Sequence, residues 1–143
     1  MASEFIGTWK ATKPAGEAEG FDKFFKEMKV EEGMIEHFKN IIFGSSLSLE
    51  KGIWTLDLLA DGQVVKSTTF ESGKEYETKG FDEKMHRMTI TVDGCKSVEK
   101  SAPVDGSTKG TSTTRVVKDG VMTVTSLSIE NPACSMTYTM KKQ

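Results

Sequence analysis

Few side chains in this sequence are of a type that does covalent chemistry, and none is spaced for it. The histidines are His37 and His86 and the cysteines Cys95 and Cys134. Acyl transfer needs a nucleophile, a base and a group that orients the base. Serines are plentiful, but only His37 and His86 offer a base, the first in a helical stretch and the second in a strand among charges. The G-x-S-x-G elbow is missing, as are the Walker loop and the G-x-G-x-x-G fingerprint. Neither histidine has a histidine partner at i+4 or an acidic loop beside it. Two cysteines are too few for a Cys-rich zinc site or a disulfide framework, and two reduced thiols are expected. No enzyme activity, cofactor or metal is therefore expected. The chemistry left is non-covalent binding, and its candidates emerge only once the elements that carry them are placed.

Composition narrows the binding partners. The net charge is −2, where a nucleic-acid binder would be strongly basic, so no nucleic acid is expected. No apolar run reaches membrane-spanning length. The start, Met1-Ala2-Ser3-Glu4-Phe5, lacks a basic segment and an apolar stretch, so no secretory signal is expected. With glycine included, the apolar share is about 45%, at the lower edge of the globular norm. Eight Phe, eight Met, two Trp and two Tyr still provide for a core. Thr is abundant and Leu scarce, which favours strands over helices. A single domain over residues 1–143 is expected.

Turn dipeptides cut the chain from Lys51 onward. They are Lys51-Gly52, Asp61-Gly62, Ser72-Gly73, Lys79-Gly80, Asp93-Gly94, Asp105-Gly106, Asp119-Gly120 and Asn131-Pro132. Glycine accepts the positive φ of tight hairpins, and Asp or Asn tolerates it. Between these turns the residues alternate. Cys134, Met136, Tyr138 and Met140 oppose Ser135, Thr137, Thr139 and Lys141. Trp54, Leu56 and Leu58 share a face, as do Met88, Ile90 and Val92. A period of two with one apolar side is a half-buried strand. The exception is the stretch from Gly20 to Ile42. There Phe21, Phe24, Phe25 and Met28, then Met34, Ile35 and Phe38, recur at helical spacing. Two short helices joined near Lys29 to Glu31 follow, each too short to stand without packing.

The order is one strand over about residues 5–13, a helix pair, then about nine strands. Such an up-and-down sheet is expected to close, since closure removes exposed edges. A ten-stranded barrel is wider than side chains can fill. The lean apolar share then fits an interior that is partly cavity, wet or ligand-filled.

This order resembles the intracellular lipid-binding proteins, the fatty-acid-binding protein family of calycin-type β-barrels, over essentially the full length. The resemblance is carried by Phe5-Ile6-Gly7-Thr8-Trp9-Lys10, by Gly20-Phe21-Asp22-Lys23-Phe24 and by Phe70-Glu71-Ser72-Gly73-Lys74-Glu75-Tyr76-Glu77. Thr114-Arg115-Val116-Val117-Lys118-Asp119-Gly120 and Cys134-Ser135-Met136-Thr137-Tyr138 complete it. It implies a mainly β fold, a ten-stranded antiparallel up-and-down barrel (a clam). A helix-turn-helix lid, about residues 20–41, lies between the first and second strands. The implied function is non-covalent carriage of long-chain fatty acids or similar hydrophobic ligands by a cytoplasmic monomer. Gly7-Thr8-Trp9 also matches the G-x-W start of lipocalins, which are normally longer, secreted and without the helix pair.

By the same resemblance Arg115 takes the position of a carboxylate-binding arginine and Tyr138 that of its tyrosine partner. A guanidinium suits a buried carboxylate because it stays charged and bonds both oxygens. The family's second arginine position is occupied here by Met136, which weakens the head-group clamp and leaves open a different lipid, whether retinoid, bile-acid-like or uncharged. Strand alternation alone leaves the direction of Arg115 open, since Thr113, Arg115 and Val117 oppose Thr114, Val116 and Lys118. Phe21, Phe25, Met28, Met34 and Phe38 are candidates for the cavity side of the lid. Lys23, Lys26, Lys29 and Lys39 are candidates for transient contact with anionic membranes, diluted by Glu27, Glu31, Glu32 and Glu36. Asp57, Lys66 and Arg87 remain open as inward charges that compensate for Met136, and Gln63 as the portal position.

Overall fold

A computed structural model describes residues 2–80 and 83–143. A 3-10 turn over Ala2–Phe5 leads into β1 (Gly7–Ala11). A second 3-10 turn (Ala15–Glu17) precedes α1 (Phe21–Glu27) and α2 (Glu32–Phe38). The strands β2 (Phe43–Glu50), β3 (Ile53–Ala60), β4 (Gln63–Phe70), β5 (Glu75–Lys79) and β6 (Met85–Asp93) follow. The chain ends with β7 (Lys96–Pro103), β8 (Thr111–Lys118), β9 (Val121–Ser128) and β10 (Ser135–Lys142). Among the described residues these ten strands form one antiparallel sheet in the order β4-β3-β2-β1-β10-β9-β8-β7-β6-β5. The expected mainly β barrel with a helix pair between its first two strands is the fold observed.

All the turn dipeptides fall at strand junctions. Lys51-Gly52, Asp61-Gly62 and Asp119-Gly120 each have positive φ at both residues, the condition for a two-residue turn whose twist matches the flanking strands. The first strand is shorter than expected. Phe5 ends the 3-10 turn instead, buried at 2% exposure, and its carbonyl accepts the Trp9 indole N–H at 3.0 Å. Phe5 therefore joins the core cluster that includes Trp9.

Closure is incomplete. β1 joins β10 through Trp9↔Lys142 and Ala11↔Met140, but among the described residues no ladder joins β4 to β5. Side chains span that gap. Phe70 stacks on Tyr76 at 6.4 Å, and the Lys66 ammonium donates to the Lys79 carbonyl at 2.8 Å. A bulge lies where β3 meets β4, since Leu58 faces Lys66 while Leu59 faces Val64. The extra residue there, Val65, leaves Val64 and Val65 more than half exposed and aims Lys66 inward.

The lid has its own apolar cluster of Ala15, Phe21, Phe24 and Ile35, closed from below by Met136. α1 packs against β10 and β9. Its last turn is anchored by Glu27, which accepts hydrogen bonds from Ser128 at 3.3 Å and from the Cys134 thiol at 3.9 Å. None of the helices among the described residues is long and apolar enough to cross a membrane.

Candidate functional site

Three neighbouring strands build one end of the site. Val124 on β9 faces Arg115 on β8 and Tyr138 on β10. Val124 and Met122 are fully buried, and Thr113 and Val117, two residues either side of Arg115, are buried too. Arg115 therefore points into the barrel, and Val116 and Lys118 point out. Tyr138 lies on the inward face with Met136 and Met140, both buried.

The next strand supplies a residue that sequence reasoning missed. Arg115 Nη1 donates to Glu99 Oε1 at 3.1 Å, with the two side chains only 17% and 16% exposed. β7 turns Ser97, Glu99 and Ser101 inward, with Ser97 buried at 4% exposure. The opposite face alternates the exposed Lys96 and Lys100 with Val98 and Ala102. Polarity alternation leaves this strand undecided, and its direction comes from the register against β6 and β8.

Arg115 and Glu99 close one side of a cavity of about 60 Å³. Leu56, Leu58 and Met88 supply its apolar wall, and Lys66, Thr68, Tyr76 and Thr78 its polar wall. That is room for about two water molecules, whereas small-molecule sites span roughly 300–1,000 Å³. Trp9, Trp54, Phe70 and Met122 belong to one core cluster of the barrel. Met88, Met122, Met136 and Met140 are unbranched and adapt their shape readily.

Burial dominates the electrostatics. It acts to lower the Arg115 pKa, but the Glu99 carboxylate and the phenols of Tyr138 and Tyr76 outweigh it, and the net shift is upward. Burial likewise raises the Tyr138 pKa, partly offset by Arg115. Tyr76 is pushed up to about 12, by burial first and then by Glu99. Its hydroxyl is buried and makes no hydrogen bond of proper geometry, although the Thr68 side chain is near enough to favour the phenolate slightly. Tyr76 and Tyr138 are the only tyrosines, so ultraviolet titration of the folded protein should show no phenolate step near the ordinary value of about 10. Both pKa values are raised, so this contribution to stability is complete below about pH 10 and falls as pH climbs through the folded values. A normal phenolate step in the folded protein would contradict the buried placement.

The lid candidates divide. Phe21 is buried, and Phe25, Met28 and Phe38 pack partly buried against the lid cluster. Met34 is 39% exposed and stands outside it. Ring contacts run from the lid to Tyr138. Phe21 meets Phe25 at 4.8 Å, Phe25 meets Phe38 at 5.8 Å, Phe38 meets Phe43 at 6.3 Å, and Phe43 meets Tyr138 at 6.1 Å. Of the charges left open, Lys66 lines the cavity. Arg87 pairs with Glu75 at 3.2 Å and Glu77 at 3.5 Å on the outer face. Asp57 alternates with inward Leu56 and Leu58 and so faces away. Gln63 opens β4 at an exposed position.

This architecture is the fold of the intracellular lipid-binding proteins. Lipid binding protein 8 of Caenorhabditis elegans superposes with a TM-score of 0.83 at 16% identity, covering 99% of this chain and 96% of that one. Fatty-acid-binding protein 1 of Echinococcus granulosus gives 0.81 at 20% identity, over 98% of each chain. The Schistosoma mansoni fatty acid binding protein in complex with arachidonic acid gives 0.83 at 17% identity, over 99% and 98%. No sequence-family profile and no curated protein sequence matches the chain. At these identities the likeness is one of fold.

Proposed function

We propose that this chain is a cytoplasmic, monomeric carrier that holds a long-chain fatty acid or similar hydrophobic ligand non-covalently inside its barrel and catalyses no reaction. Residues 1–143 act as one lipid-binding domain. The observation that supports this most is the inward placement of Arg115 and Tyr138 around Val124, with Arg115 facing the apolar wall of Leu56, Leu58 and Met88. Tail burial contributes roughly 0.8 kcal/mol per methylene. A carboxylate can bond Arg115 and Tyr138, with Met136 adding apolar contact. The solved relatives of this fold include one in complex with arachidonic acid. The lid residues Phe21, Phe25, Met28 and Phe38 cover the tail, and Lys23, Lys26 and Lys29 offer a transient contact to anionic membranes.

Native mass spectrometry of the purified protein should show co-purified lipid, and oleate should bind on titration. Arg115→Met should weaken oleate by roughly tenfold or more, as expected for loss of a charged hydrogen-bond donor. Unchanged oleate affinity would remove Arg115 from the head-group site. A second reading, an uncharged lipid, is favoured by one observation: the Arg115 guanidinium already has a carboxylate partner in Glu99.

A further inference from the structure

We infer that Glu99 sets the head-group specificity of this barrel, selecting lipids with an uncharged, hydrogen-bond-donating head, a primary amide or alcohol, over free carboxylates. The inference rests on the carrier reading above. Arg115 and Glu99 are joined at 3.1 Å and largely shielded from solvent. A ligand carboxylate that reaches Arg115 must stand beside the Glu99 carboxylate. Two like charges in one poorly solvated site repel strongly, and the usual result is that only one is held.

An amide or hydroxyl head meets no such repulsion. Its N–H or O–H can donate to Glu99, which as a carboxylate only accepts. Its oxygen can accept from Tyr76, whose buried hydroxyl has no partner of proper geometry among the described residues, with Thr68 its nearest polar neighbour. A buried donor without a partner is costly, so a ligand that satisfies it gains by that amount. Glu99, Arg115, Tyr76 and Thr68 line the same cavity of about 60 Å³, a space of head-group size. The wall's other cation, Lys66, spends one of its N–H donors on the Lys79 carbonyl at 2.8 Å across the β4–β5 gap, and Glu99 is the cavity-lining carboxylate that Arg115 itself bonds.

The test is calorimetric titration of the delipidated full chain with oleate, oleamide and oleyl alcohol, which share one tail. The wild type should bind oleamide and oleyl alcohol about tenfold or more tightly than oleate, given the desolvation cost of an uncompensated carboxylate. Glu99→Gln should raise oleate affinity about tenfold by freeing Arg115, and shift oleamide by less than about threefold. Adding Arg115→Met to Glu99→Gln should abolish the oleate gain. Oleate that binds the wild type as tightly as oleamide, with no gain in Glu99→Gln, overturns this inference and leaves the carrier reading intact. An interior that takes up none of the three lipids overturns both. The wild-type comparison needs no variant and decides the matter even where Glu99→Gln fails to fold.

Discussion

Arg115→Met is expected to lower the unfolding free energy by about 3–5 kcal/mol, because it leaves a carboxylate buried without its partner. The carboxylate in question is Glu99, 16% exposed and bonded to Arg115 Nη1. Glu99→Leu should cost a similar amount for the mirror-image reason. The double variant Arg115→Met/Glu99→Leu should return to within about 1 kcal/mol of the wild type, or exceed it, since apolar replacements of a buried pair recover its desolvation cost. Urea denaturation of the four proteins closes the cycle. Additive single losses would show that the two charges do not depend on each other. The cycle separates two roles that one residue can combine: a pair retained for ligand choice need not be stabilising.

The second large effect concerns the seating of the lid. Gly20 precedes α1 with φ of 79°, and a Cβ there would collide with the Ser135 carbonyl oxygen. Neither partner can yield. Ser135 belongs to β10, and Glu19 is bound to Thr137 by two backbone hydrogen bonds of 3.2 and 2.9 Å. Gly20→Ala should therefore cost about 3 kcal/mol or more, combining left-handed strain with a backbone clash. Hydrogen exchange should show faster opening of residues 21–38, and ligand exchange should accelerate as α1 lifts from Met136. Gly33→Ala is the contrasting variant. A Cβ there meets nothing within 4 Å inside α2, so it should stabilise by about 0.5–1 kcal/mol. Equal effects from the two substitutions would mean that the lid is not seated through Gly20.

These two sites differ in how far they could be read from the chain. Gly20 opens a recognisable Gly-Phe-Asp-Lys-Phe helix start, yet its need to be glycine comes from Ser135, more than a hundred residues away. Arg115 carried no inward signal in its own strand, because both faces of that strand hold threonine, valine and one cation. Glu99 carried none either, because the outer face of its strand sets Lys96 and Lys100 beside Val98 and Ala102.

Local chemistry determined much of the architecture. Glycine after Asp, Ser or Lys marked most of the strand junctions, and Asn131-Pro132 the last, since turn conformation is a property of a residue and its neighbour. The period of two in β3, β6 and β10, and the helical spacing of Phe21, Phe24 and Ile35, gave strands and lid for the same reason: an apolar stripe must be buried wherever the rest of the chain lies. Tertiary structure decided what lies inside. Closure of β1 on β10, the bulge at Val65 and the unpaired gap between β4 and β5 set the register that turns Glu99, Tyr76 and Lys66 toward Arg115. It also brought Trp9, Trp54, Phe70 and Met122 together in one core cluster. Register between strands far apart in sequence is a collective outcome of the whole sheet, and the charges gathered at the candidate site depend on it.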